Sequence, residues 1–139
     1  MRTEAMFILA ATSLVGCQSL QDLCRDEVNQ TCERQFSCRS DSEKATSSFI
    51  LHFGNNVEEC KTKLYANPLL PFDQTGVACD SADTDAEVCT NWGRSSATNV
   101  IFAKANQCRD ERAQLSCQDW IAQSSNPALA PAVCSQRCQ

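Results

Sequence analysis

Between Leu20 and Phe36 an apolar or sulfur-bearing residue returns at every fourth position: Leu20, Cys24, Val28, Cys32, Phe36. Leu23 and Thr31 join that stripe, while Asp22, Arg25, Asp26, Asn29, Glu33 and Arg34 face away from it. The period is helical and predicts a first helix over residues 18–38. A shorter pattern follows. Ala45, Phe49, Ile50 and Phe53 give a second helix its core face, begun at Asp41 or Ser42 and broken by Gly54-Asn55-Asn56. A strand over Ser48–Phe53 competes with it. Asn56 then caps a third helix, Glu59 completes a capping box, and Val57, Cys60 and Leu64 share one face.

Pro68, Pro71 and Gly76 make Asn67–Asp80 a loop. The acidic stretch Asp80–Asp85 suits a helix N-terminus, so a fourth helix is expected from Thr84 toward Arg94. The next should cover Ala97–Ser116, with Ile101, Ala105, Cys108, Arg112 and Leu115 inward. Trp120 and Ile121 add a short apolar contact, Ser124–Pro131 reads as a loop, and Ala132–Cys138 as a last turn. Glu33-Arg34 before Cys38 is echoed by Glu111-Arg112 before Cys117. The expected fold class is all-α: a small disulfide-stapled bundle of four to five short helices with long loops.

Upstream of the first helix the pattern changes character. Ala5 to Val15 is uncharged and mostly apolar, Arg2 precedes it, and a polar switch follows at Gln18. The run is too short to span a bilayer, which needs ~20 residues, and has the length of a signal-peptide core. Leu14-Val15-Gly16-Cys17 closes it as a bacterial lipobox, with Leu at −3, a small residue at −1 and Cys at +1. The expected organisation is therefore a lipoprotein signal peptide over 1–16 and a cysteine-rich helical domain over 17–139. Cys17 would carry the lipid, palmitate among its acyl chains, and multiple chains give stable anchoring where one does not. The alternative is an ordinary secreted protein, for which Asn29-Gln30-Thr31 would be a glycosylation sequon.

Charge and cysteine content narrow the picture. The chain has 139 residues and a formal net charge of −5. An acidic chain repels nucleic acid and anionic lipid, so nucleic acid is not expected as a partner. Only four glycines occur, which disfavours a many-turned β-sandwich or barrel. Of eleven cysteines, assigning Cys17 to lipid leaves Cys24, Cys32, Cys38, Cys60, Cys79, Cys89, Cys108, Cys117, Cys134 and Cys138. That even set fits five disulfides, the usual device of small exported domains.

Helix geometry prunes the pairings. Cys24 and Cys32 lie two turns apart, about 12 Å along the axis, too far for a bridge. Cys32–Cys38 and Cys108–Cys117 fail in the same way. The C-terminal tail, lacking an apolar stripe, should be stapled back, with the first helix as the natural target.

Candidate chemistry is sparse. His52 is the only imidazole and sits in the apolar stretch Phe49–Phe53, where packing explains it. Glu58-Glu59, Asp80, Asp83, Asp85 and Asp110-Glu111 could in principle pair for acid–base work, yet all fall at expected helix starts or solvated faces. Lacking further histidines and any Cys-x2-Cys, the sequence points to no metal and no cofactor. Trp92 and Trp120 could line a groove or fill the core. Leu69, Leu70 and Phe72, set among prolines in Asn67–Phe72, would be costly to expose and mark a possible docking or inhibitory loop.

The cysteine framework also resembles a known family. A lipobox precedes a helix with Cys32-Glu33-Arg34 and Cys38. Phe53-Gly54 and Glu58-Glu59-Cys60 follow. Cys108 stands nine residues before Cys117, which Ser116 precedes, and Pro131 comes shortly before Cys134. This is similar to small cysteine-rich lipoproteins abundant in myxobacteria and related predatory or soil bacteria. The resemblance implies a cell-envelope location and a helical disulfide fold, and carries over no functional residue. Cys24 and Cys138 are an extra pair beyond it. The function expected is a non-catalytic cell-envelope lipoprotein, structural or binding an unidentified protein or surface ligand. The alternative is an extracellular disulfide-rich binding protein or enzyme inhibitor.

Overall fold

The computed structural model describes residues 17–68 and 76–139. The expected signal peptide over 1–16 and the apolar part of the docking loop, Leu69, Leu70 and Phe72, lie outside them.

The four-residue stripe folds as α1, Leu20–Cys38. Ser19 caps it and exchanges hydrogen bonds with Asp22. Leu23, Cys24, Val28, Cys32 and Gln35 form its buried face. The chain leaves α1 through an extended Arg39, and Ser40 at once caps α2, Asp41–Lys44. The single helix expected through Phe53 is broken here. Thr46 turns its side chain onto the Phe49 amide and starts α3, Ser47–Phe53. A local side chain-to-backbone bond has outcompeted helix continuation, and Ala45 stays exposed. Phe49 is buried between Phe36, 5.2 Å between centroids, and Phe53, 5.0 Å.

Gly54 ends α3 at φ +77°, and a Cβ there would fall 2.6 Å from that of Glu59. Asn56 caps α4, Val57–Ala66, as expected. The Glu59 carboxylate is displaced by one residue from a regular capping box: it accepts from the Asn55 amide at 2.8 Å. Cys60 and Leu64 face inward.

Thr84 and Glu87 form the capping box of α5, Asp85–Asn91. The following helix is shorter than expected. Residues 98–101 give their amides to the tail and to Asp85 instead: Ile101 donates to Arg137 O at 2.9 Å and Val100 to Asp85 Oδ2 at 2.8 Å. Helix α6 therefore starts at Phe102 and ends at Ala113. Trp120 and Ile121 belong to a full helix, α7, Cys117–Ser125, capped by Ser116. Two short 3-10 turns, Pro127–Leu129 and Ala132–Gln136, complete the chain. The fold is all-α as the pattern indicated, with seven helices among the described residues because one expected helix splits and a further one forms.

Five disulfides join Cys24–Cys79, Cys32–Cys60, Cys38–Cys117, Cys89–Cys138 and Cys108–Cys134. The three pairings excluded on helix geometry do not form. Cys24 and Cys138, the extra pair beyond the familiar framework, bond to other partners and not to each other. The tail is stapled to α5 and α6 rather than to α1, on the side where residues 98–101 hydrogen-bond it.

The bridges sort the molecule into two covalent groups. One holds α1, α4, α7 and the turn at Cys79; the other holds α5, α6 and the tail. No disulfide crosses between them. Each group has its own apolar cluster. The first is built on Cys24, Val28, Cys32, Cys60, Leu64 and Cys79, the second on Cys108, Val133 and Cys134. Buried sulfur supplies much of the hydrophobic surface that a chain this poor in core residues otherwise lacks.

Candidate ligand trough

The seam between the two groups holds the most unusual side chains of the molecule. Glu27 projects from the middle of α1 and pairs with Arg112 of α6 and with Arg137 of the tail. The Arg137 contact is 3.4 Å, and all three side chains are less than one-fifth exposed. Burial by itself would push the Glu27 carboxyl up. The two guanidiniums outweigh that and hold it below the usual carboxylate range.

Both arginines also lie on tryptophans. The Arg112 guanidinium is 4.6 Å from the Trp120 ring centre and that of Arg137 is 4.4 Å from Trp92. Arg34 covers Trp120 as well, at 5.3 Å. Such contacts stabilise by about 0.5–2 kcal/mol each when partly desolvated.

The sequence echo falls at this point of the fold. Arg34 and Arg112, the echoed arginines, both lie over the Trp120 ring. Cys38 and Cys117, which close the repeats, are bonded to each other. Arg34 further donates to the carbonyl of Leu115. Arg112 had an inward position on the helical pattern; its partner Glu27 carried no sequence signal beyond being one charged residue on a charged helix.

Along the seam runs a trough of about 560 Å³. Its floor is the Cys24–Gln35 face of α1. One wall is Val88 and Trp92, the other Trp120, Gln123 and Ala130. The volume falls in the range of ligand sites, and so does the mix of apolar walls with a few polar groups. Four buried donors of the lining have no hydrogen-bond partner: Arg112 Nε, Trp120 Nε1, Gln123 Nε2 and Arg137 Nε. Trp92 and Trp120 are thus both groove-lining, and Trp120 is also core, at 1% exposure.

A second hollow, between α1 and α6, is polar, and though Gln30 Oε1 and Arg34 Nε are left unmet in it, its other groups are largely paired. Arg109 meets Asp26 at 2.7 Å, and Gln30 donates to Arg109 O at 2.7 Å. Asn29 of the sequon lies inside α1 and accepts from Tyr65 at 2.5 Å.

The remaining candidate residues are scattered over the molecule in structural tasks. His52 lies in the last turn of α3 with its ring edge-on to Phe53. Glu58 pairs with Lys61 and Asp80 with Arg25. Asp83 accepts from Gln21 and Glu111 from Gln107, both at 2.9 Å. Asp85 serves the Val100 amide, and Asp110 lies 3.9 Å from Arg109. Among the described residues no group of three His, Cys, Asp or Glu is placed to hold a metal.

The molecule is thus a disulfide-stapled helical domain with an apolar trough at the seam of its two halves. Comparison with protein-family models, with curated proteins and with solved structures returned no match. Five bridges place the chain outside the reducing cytoplasm. No helix of the described residues is long and apolar enough to cross a membrane.

Proposed function

We propose that this chain is a non-catalytic lipoprotein of the bacterial cell envelope that holds a ligand or partner in the α1 trough. The trough carries the reading: an apolar-walled hollow on a rigid, cross-linked frame, with fixed charges at its base. Membrane attachment would come from Cys17. It is exposed, outside every disulfide, and two residues before the cap of α1. Acylation there leaves the stapled body untouched. It also accounts for the odd cysteine, since the other ten pair among themselves.

The reading without an enzyme rests on the occupations of the candidate groups. The acidic candidates sit at caps, ion pairs or solvated faces, and the histidine is packed on a phenylalanine.

Intact mass of the mature protein tests the anchor. It should begin at Cys17 and carry a diacylglycerol thioether with an acylated amino terminus. A mature protein starting at Gln18 without lipid would overturn the anchor and move the trough to the secreted alternative.

A further inference from the structure

We propose that the trough takes a single-chain amphiphile with a carboxylate head, a ligand of the fatty-acid class. The inference rests on reading the trough as a binding surface, and three observations define the ligand.

The first is shape. On α1 the lining extends from Cys24 to Gln35, about 16 Å of helix at 1.5 Å per residue. A hollow of 560 Å³ drawn out along such a length is narrow and suits an extended chain better than a compact solute. Its sides are hydrocarbon and indole: Val28, Leu64, Val88, Trp92, Trp120 and Ala130.

The second is charge. The chain as a whole is acidic, at −5, yet the lining sets Arg112 and Arg137 against the lone carboxylate of Glu27, while Arg39 at one end is already paired with Glu43 at 3.1 Å. Glu27 is shared by two guanidiniums, so one positive charge at the base has no counter-charge. An anion placed there gains in a low-dielectric setting, where a cation would be repelled.

The third is hydrogen bonding. The unmet buried groups of the lining are all donors, on Arg112, Trp120, Gln123 and Arg137. The unmet buried acceptors among the described residues, Gln30 Oε1 and Asn106 Oδ1, lie outside it. Buried polar groups in native proteins find partners, and a carboxylate is acceptor-only. Gln123 is 6% exposed and Trp120 1%, so neither is served by bulk water.

The test uses the disulfide-bonded mature chain with Cys17→Ser, so that no acyl group of its own competes. Trp92 and Trp120 are the only tryptophans and both line the trough, so intrinsic fluorescence reports on it. The probes are laurate, dodecanol and dodecyltrimethylammonium, each below its micellar concentration. Laurate should give a saturable change, dodecanol should bind at least tenfold more weakly, and the cation should give no saturable change. An equal response to all three would overturn the carboxylate assignment. No saturable response to laurate would overturn the proposal while leaving the lipid anchor, judged by mass, where it stands.

Two variants locate the site. Gln123→Leu removes an unmet donor at similar volume and should weaken laurate severalfold without changing dodecanol. Ser124→Phe, at a half-buried wall position of α7, should abolish laurate binding by bulk. Laurate affinity unchanged in a folded Ser124→Phe protein would place the ligand elsewhere and overturn the proposal.

Discussion

Glu27 is the residue on which the two halves meet. Removing its charge leaves two guanidiniums facing each other in a partly dry seam, and breaking such a pair typically costs about 3–5 kcal/mol. Glu27→Gln should therefore lower stability by about 3 kcal/mol at pH 7, read from the urea midpoint. The effect depends on pH with a definite sign. Held below the usual carboxylate range, Glu27 binds fewer protons folded than unfolded. Its contribution is complete above the unfolded value of about 4.3 and is lost as pH falls through the depressed folded value. The gap between wild type and Glu27→Gln should narrow as the pH drops from 5 toward 3. A gap that stays constant would show that folding does not shift the carboxyl, and one that widens would show that it is held neutral in the seam. Asn91 is the other residue with a structural task of its own. Its buried amide accepts from the Val77 N–H at 2.8 Å and donates to the Val77 carbonyl at 2.7 Å, as a paired strand would. Asn91→Ala leaves both groups unmet and should cost about 2 kcal/mol in a denaturant titration.

At the scale of elements, the caps decide where helices begin. Ser19, Ser40 and Thr84 each exchange bonds with an acidic residue three positions on. Those acids, Asp22, Glu43 and Glu87, are all held below the ordinary carboxylate range, chiefly by hydrogen bonds from their own caps. Ser116 and Asp119 make a related pair at the start of α7, with the Asp119 amide on the Ser116 hydroxyl at 3.1 Å. The junction of α1 with α7 is secured three times over, by Cys38–Cys117, by Arg34 on the Leu115 carbonyl and by Arg34 over Trp120. The double variant Cys38→Ser/Cys117→Ser should still fold, because Arg34 keeps α7 in place. It should lose about 2–4 kcal/mol, as for a bridge closing a long loop. Its tryptophan emission should move little. A large red shift would mean that the disulfide alone seats Trp120.

For the molecule as a whole, five bridges at about 2–4 kcal/mol each are together as large as the ~5–15 kcal/mol by which domains are usually stable. Full reduction should therefore unfold it, with loss of helical circular dichroism. Peptide mapping without reduction should return the five pairs of the structure, none joining α1, α4 or α7 to α5, α6 or the tail. A crossing bridge would dissolve the two-group description and the seam with it. The sequence by itself determined the helical class, the course of α1 and the impossibility of Cys24–Cys32. These follow from periodicity and axial rise, which are local. It also placed Asn56 at its cap and Arg112 on an inward face. What lay beyond it were the break at Thr46, the late start of α6 and the partners of the cysteines. The first turns on competition between a hydroxyl and the next helical bond. The late start of α6 turns on amides of residues 98–101 bonding the tail and Asp85, and the cysteine partners turn on which helices pack together. Trp120 was visible as a large apolar residue, and the two Glu-Arg echoes were visible as a repetition. Only the tertiary structure stacked both arginines on that indole and set Glu27 between Arg112 and Arg137. The Glu27 contacts join residues 85 and 110 positions apart, and no local pattern encodes which distant charge will arrive.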